Sequence, residues 1–283
     1  MFNFRLENEN GKIVDINDGV NYLVIAASGL NPPSAQIYTS PNAGGNGKRK
    51  SGSSLDERNL LITVKFYGDV EKSRNALYEW IDSEQYVKVH YQNGVKSVYC
   101  EGYVQDCPID FFSDNEVVNI AIVCPKPHWK ELQEISTDIS ALLKLFTFPF
   151  AIDSAGIPFS TIRTDNETNI YNAGAETGVQ ITVKCNAAIS GLLIYDANDT
   201  TKRFYLNYEL PESCVLKIDT ESNPKTCKAY LSDGSEVSLI RYVGNNPTWF
   251  TLKKGNNRFG HSYNGTATDA EISIGFVNKY LGV

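Results

Sequence analysis

Between Asp56 and Tyr103 the spacing of apolar residues changes period twice with almost no slack. In Arg58–Tyr67, Leu60, Ile62, Val64 and Phe66 alternate with Leu61, Thr63, Lys65 and Tyr67, the period of two of a strand with one buried face. Gly68-Asp69 stops it. Asp69 has the type and place of an N-cap, Glu71 sits in the first turn, and Val70, Leu77, Trp80 and Ile81 share one helical stripe, so the spacing predicts a helix over about 70–82. Alternation returns over Tyr86–Tyr91 and again over Lys96–Val104, with Asn93-Gly94 between them as a hairpin turn. The pattern describes one helix laid on an antiparallel sheet.

Earlier in the chain, Phe2–Leu6 and Ile13–Ile16 flank a Gly11 turn as an opening hairpin, and Tyr22–Ala27 reads as a third strand. The tract from Asn31 to Ser54 is rich in Gly, Ser, Asn and Pro, and such a composition buries too little apolar surface to offset its ordering entropy. Its stretch from Gly44 to Ser54 is expected to be mobile in the free chain. Within it Lys48, Arg49 and Lys50 form the candidate assembly arm, ordering against an acidic partner surface, with a solvated hairpin tip as the alternative. After the helix unit, Val104–Pro108 and Phe111-Phe112 lead into Glu116–Cys124, a final strand ended by Pro125 and Pro127.

Residues 1–129 therefore read as a first domain and 130–150 as a connector. In that connector Leu132, Ile135, Ile139 and Leu142 fit a short helix, and Phe146–Phe150 resumes extended chain. Residues 151–283 read as a sandwich of short strands: Thr168–Tyr171, Val179–Cys185, Gly191–Tyr195, Arg203–Leu206, Val215–Asp219, Lys228–Leu231, Trp249–Leu252 and Glu271–Phe276. Turns are expected at Ala173–Gly178, Asp196–Asp199, Ser232–Gly234 and Lys253–Asn257.

Composition agrees with a mainly β chain. It carries 16 Tyr and 13 Phe against a single Met in 283 residues, a length that suits two domains. The net charge of −7 is unevenly shared: residues 1–140 hold 13 Lys and Arg against 19 Asp and Glu, and the remainder is close to balance. An acidic first half argues against sequence-independent DNA binding, which needs cations over phosphates. The opening residues lack a secretory pattern, and the apolar runs fall short of the roughly 20 residues of a membrane span, so a soluble protein made in the cytoplasm, without membrane insertion, is expected.

Catalytic patterns are missing. His90, His128 and His261 lie in three unrelated settings, no Ser stands in a Gly-x-Ser-x-Gly elbow, and the six cysteines form no Cys-x-x-Cys pair. The thiols read as reduced, mostly buried structural residues; no catalytic, cofactor-binding or metal site is assigned and no cofactor is implied. Trp249 fits a sugar-stacking platform, but its alternation with Phe250 and Leu252 favours a core position.

The order of these elements resembles the distal tail protein family of long-tailed phages, often called Dit, which also occurs in prophages and phage-derived tail particles. The resemblance is carried by the Gly11 hairpin and loop leading to the Arg58 strand, and by the helix with Arg74, Leu77 and Trp80. It continues in the Cys100-Glu101-Gly102-Tyr103 strand and the ending Val123-Cys124-Pro125-Lys126-Pro127-His128-Trp129. In the second half it rests on Asn172–Gly178, Leu216–Thr220, Trp249–Asn257 and Val277–Val283. Lys48-Arg49-Lys50 matches no motif of that family.

The resemblance implies an N-terminal, β-sandwich-like domain with one helix that closes into a homohexamer ring, and a C-terminal galectin-like β-sandwich projecting outward. It implies a structural hub in the virion, at the baseplate end of the tail, which forms in the host cytoplasm. Its expected partners are other copies of itself, the tail tube protein and a tail-tip, tail-associated or receptor-binding protein, with DNA passing through unbound. A structural role implies no enzyme activity, and no dependence of the C-terminal half on sugar. Phe2–Leu6 and Val117–Cys124 are the expected edge strands through which neighbouring subunits would pair. The sandwich alone also fits a carbohydrate-binding module of a cell-wall-targeting protein.

Overall fold

The alternation that opens at Arg58 becomes an inner strand of a large antiparallel sheet, one place from its outer strand. The computed structural model describes residues 2–109, 116–140 and 167–283, and the backbone of 142–144 and 160–162. It divides into two units: residues 1–132 together with Lys279–Val283, and Gln133–Asn278.

In the first unit the strands are β1 (Asn3–Asn8), β2 (Ile13–Asp15), β3 (Tyr22–Ser28), β4 (Ala35–Pro41), β5 (Lys48–Leu55) and β6 (Arg58–Phe66). Helix α1 (Val70–Tyr78) follows, then β7 (Tyr86–Gln92), β8 (Ser97–Asp106), β9 (Val117–Cys124) and β10 (Trp129–Glu131). The main sheet runs β2-β1-β7-β8-β9-β6-β3, with β10 paired to β8 and to the returning segment Lys279–Tyr280. Alternate residues of these strands, among them Leu6, Val89, Val98, Ile122, Ile62 and Val24, form a core that also takes in Leu77, Trp80, Ile81 and Trp129. The predicted N-cap is realised: the Asp69 side chain accepts a hydrogen bond from the Lys72 N–H. The helix stops at Tyr78, before the predicted end, yet Trp80 and Ile81 still reach the core from the following turn.

Two expectations about edges are corrected. β1 lies between β2 and β7, and β9 lies between β8 and β6, so neither Phe2–Leu6 nor Val117–Cys124 supplies an outer strand of the sheet. The outer strands of the path are the short β2 and the bulged β3.

The second unit contains β11 (Ile135–Asp138), β12 (Leu142–Lys144), β13 (Ser160–Ile162), β14 (Glu167–Asn172), β15 (Thr177–Gly178), β16 (Gln180–Cys185) and β17 (Ser190–Asp196). Then come β18 (Asp199–Leu206), β19 (Val215–Asp219), β20 (Thr226–Tyr230), β21 (Glu236–Ser238), β22 (Thr251–Leu252), β23 (Gly255–Asn264) and β24 (Ala270–Phe276); the returning Lys279–Tyr280 is β25. A six-stranded sheet, β11-β24-β16-β19-β20-β21, and a four-stranded sheet, β14-β23-β17-β18, contribute alternate residues to one shared core. This is a β-sandwich.

The helix expected from Leu132, Ile135, Ile139 and Leu142 is replaced by β11, which pairs with β24, and by β12. Four apolar residues at helical spacing could not outweigh an open strand edge at Phe276. β23 takes in part of the turn expected at Lys253–Asn257 and the residues after it, to which no strand was assigned, and it bonds two partners, β14 and β17. Phe111-Phe112 and Phe146–Phe150 lie outside the described residues.

Candidate functional site: an exposed hairpin and its anchored root

β4 and β5 pair only with each other among the described residues. They elaborate the connection between β3 and β6, which are themselves antiparallel neighbours. The tract expected to be mobile is therefore a β-hairpin arm. Its register sets Thr39 against Lys50, Ser40 against Arg49 and Pro41 against Lys48, with a bulge after Tyr38. Gly44 and Gly47 take positive φ at the tip, where Gly is least strained. Composition undervalued the run because its strand residues are polar: Arg49 Nε donates to Ser40 Oγ at 3.2 Å, and Tyr38 Oη lies 3.0 Å from Ser54 Oγ.

Lys48, Arg49 and Lys50 are brought together on β5, all exposed. Ile37, Tyr38 and Leu55, at 55, 51 and 41% exposure, add apolar surface to the same hairpin. A two-stranded hairpin is marginal on its own in water, and this one presents cations and large apolar groups that no other described residue covers.

The root of the arm is firm. Asp56 N–H donates to the Ser34 carbonyl at 2.9 Å, and Gln36 Nε2 donates to Asp56 Oδ1 at 3.0 Å. Beneath them Arg58 is only 2% exposed. Its Nε donates to the Pro127 carbonyl at 2.8 Å, Nη1 to Gly29 and, at 2.7 Å, to Asn31, and Nη2 to the Leu281 carbonyl at 2.6 Å. The guanidinium also faces the Trp129 ring at 5.3 Å. Burial pushes the Arg58 pKa down, and the neighbouring Cys100 and Cys124 sulfurs oppose that push. Rather than an ion pair, the planar fork gathers carbonyls from the start of the loop preceding the arm, from the connection between β9 and β10 and from the returning chain. Gly29, at φ +83°, lies so close to the Asn59 carbonyl that a Cβ would overlap it.

Returning residues complete the root. Val283 N–H donates to the Leu30 carbonyl at 3.2 Å, and Lys96 Nζ reaches the Gly282 carbonyl at 3.3 Å while lying 4.0 Å from the centre of the Tyr280 ring. The role of Arg58 was invisible in sequence, because its partners are backbone carbonyls and carry no residue-type signal.

The groups considered for chemistry stay apart. His90 Nε2 lies 2.7 Å from Glu7 Oε2, and that contact, with Lys88 at 3.3 Å, holds the Glu7 carboxyl below its usual range. His261 is buried in β23, where desolvation pushes its pKa down. All six cysteines are free thiols; burial raises Cys107 to about 11 and Cys185 and Cys227 to about 12, which leaves these three protonated. Among the described residues no cluster of His, Cys, Asp and Glu could hold a metal ion, and no helix is long and apolar enough to cross a membrane. Trp249 is half-buried and meets Phe204 edge-on at 5.4 Å, so it packs on the sandwich core.

No family model matches the sequence, and no curated protein does either. Among solved structures the fold is similar to that of the Dit (gp 19.1) protein of SPP1, described as a paradigm of the hub adsorption apparatus in phages infecting Gram-positive hosts. The TM-score is 0.69 at 14% identity, over 98% of this chain and 99% of that one. It is also similar to a chain of the phage P2 baseplate in its activated conformation with Ca, with a TM-score of 0.54, 12% identity and full coverage of both chains. The chain thus has a Dit-like, mainly β fold over its length.

Proposed function

We propose that this chain is a structural protein of a phage tail tip, a hub subunit that closes head to tail into a ring of six at the distal end of the tail tube. The observation that carries the reading is the likeness in fold to a hub protein over 98% of the chain. The uncovered hairpin supports it, since a ring subunit needs a surface that only a neighbour completes. In this reading the Lys48-Arg49-Lys50 strand lies against the acidic first unit of the next copy or against the tube protein. The ring joins the tube to the tip and host-adhesion proteins, and the excess of acids in residues 1–140 keeps passing DNA from sticking if those acids face the channel. No hydrolase activity is assigned to it.

Negative-stain microscopy and light scattering on the full-length protein test the ring. A fragment ending near residue 140 is unsuitable, because it would remove the strand partner of β10 and an acceptor of Arg58. Six-membered rings are the expected result. A persistent monomer at high concentration with the tube protein present would overturn the assembly.

A further inference from the structure

On the outer face of the four-stranded sheet lies a groove of about 510 Å³, lined by Leu193, Arg203, Tyr205, Gly244, Asn245 and Pro247. Its size falls within the roughly 300–1,000 Å³ typical of small-molecule sites. The floor follows from register: β17 and β18 pair Leu193 with Tyr205 and Tyr195 with Arg203, while Leu192, Ile194, Phe204 and Leu206 turn into the core. Tyr195 lies across Gly260 on the neighbouring strand, where any Cβ would collide with its ring. The wall is residues 244–247, fixed to β18 by Gly244 N–H to Tyr205 O at 2.8 Å and Thr248 N–H to Arg203 O at 2.9 Å, with Asn246 in the left-handed region at φ 56°.

Three polar groups in this groove are uncommitted. Among the described residues the side chains of Arg203, Tyr205 and Asn245 make no hydrogen bond or ion pair. Other cations of the same sheet behave differently: Arg258 is paired to Glu167 at 2.7 Å and Lys202 to Asp199 at 3.1 Å. Tyr205 is 40% exposed, held in place by Gly244 against one side of its ring.

We propose that this groove binds an anionic saccharide unit, a pyranose ring bearing a carboxylate or a phosphate. The Tyr205 ring with Leu193 and Pro247 offers an apolar surface to the C–H face of the sugar. The Arg203 fork matches a carboxylate or phosphate in two-point geometry, and the Asn245 amide supplies a donor and an acceptor to hydroxyls. An extended peptide is a poorer fit, because the β18 edge that would receive it already bonds residues 244–248. The site does not involve Trp249 and is independent of ring assembly.

Saturation-transfer NMR on the full-length protein tests it, with glucose 1-phosphate, glucuronic acid, glucose and inorganic phosphate as probes. The expected result is transfer to the ring protons of at least one charged sugar, with affinity at least about tenfold weaker for glucose. Arg203→Gln and Tyr205→Ala should each weaken binding about tenfold, and Trp249→Phe should leave it unchanged. Which charged sugar responds separates the phosphate source from the carboxylate source. The proposal is overturned by no transfer from either charged sugar, by transfer undiminished in folded Arg203→Gln and Tyr205→Ala, or by inorganic phosphate displacing the sugar at equal concentration. It is overturned equally if Tyr205→Ala abolishes ring assembly while no sugar binds, since the face would then belong to a neighbouring subunit. Should either variant fail to fold, Asn245→Ala reads the same loss from an exposed position.

Discussion

Arg58 shows how a single buried side chain can hold a surface feature in place. Its guanidinium binds backbone at Gly29, Asn31, Pro127 and Leu281, so one side chain ties together three chain segments, the loop at 29–31, the chain before β10 and the returning end. Arg58→Met should lower unfolding stability by about 3 kcal/mol, because stranded buried polar groups cost ~1–3 kcal/mol each. Arg58→Lys should lose less, yet not be neutral, since an ammonium cannot reproduce a planar fork. Denaturant unfolding measures both, and limited proteolysis should cut first at residues 29–34 in the Met variant. Unchanged midpoints in both variants would remove Arg58 from its central place. The alternation of β6 was plain in the sequence, and it correctly marks Arg58 as facing inward. What an inward arginine does there was not legible, because carbonyl partners can be supplied by any residue.

At the scale of elements, legibility followed how much apolar burial each one carries. β6, β7, β8, β9 and the helix have sharp two- or 3.6-residue patterns with one buried face, and their places could be read closely. β23 mixes Gly, Asn, His and Ser and owes its existence to pairing on both sides, a tertiary effect that overrides weak local preference. The arm is the same case with neither face covered by other described residues: the reading found Lys48, Arg49 and Lys50 as a basic cluster and had a solvated hairpin tip as its alternative, but placed no strands in the tract. Since the arm lies outside both cores, reversing its charge with Lys48→Glu, Arg49→Glu and Lys50→Glu together should leave the thermal midpoint within about 1 °C, in line with surface changes of ±0.5 kcal/mol. Assembly should suffer instead, with rings replaced by smaller species, and more so at low ionic strength. Intact rings of this variant in electron micrographs would dissociate the basic strand from assembly.

At the scale of the whole chain, the division into units is not a cut at one point. The first unit is closed by Lys279–Val283, which pair with β10 and cap the loop under the arm. No alternation announces so short a strand as β25, and its partner lies about 150 residues upstream, so sequence reading placed it with the second half. Lys130 and Lys279 are direct partners in an antiparallel pair, so the two ends of the intervening segment Gln133–Asn278 leave and re-enter at neighbouring positions of one hairpin. Replacing that segment by a two-residue Asn-Gly turn should therefore yield a folded first unit, whereas stopping the chain at residue 132 should not. Cooperative unfolding of the first product and its loss in the second, followed by circular dichroism, is the check; equal stability of the two would make the returning strand dispensable. There is also a consequence for the order in which the molecule is made. On the ribosome, residues 1–132 emerge long before the strand that closes them, and Arg58 must wait for Leu281 while the whole second unit is synthesised. A nascent chain thus has an unfinished arm root until Leu281 has been added, so the first unit reaches its final form only after the second unit has been made.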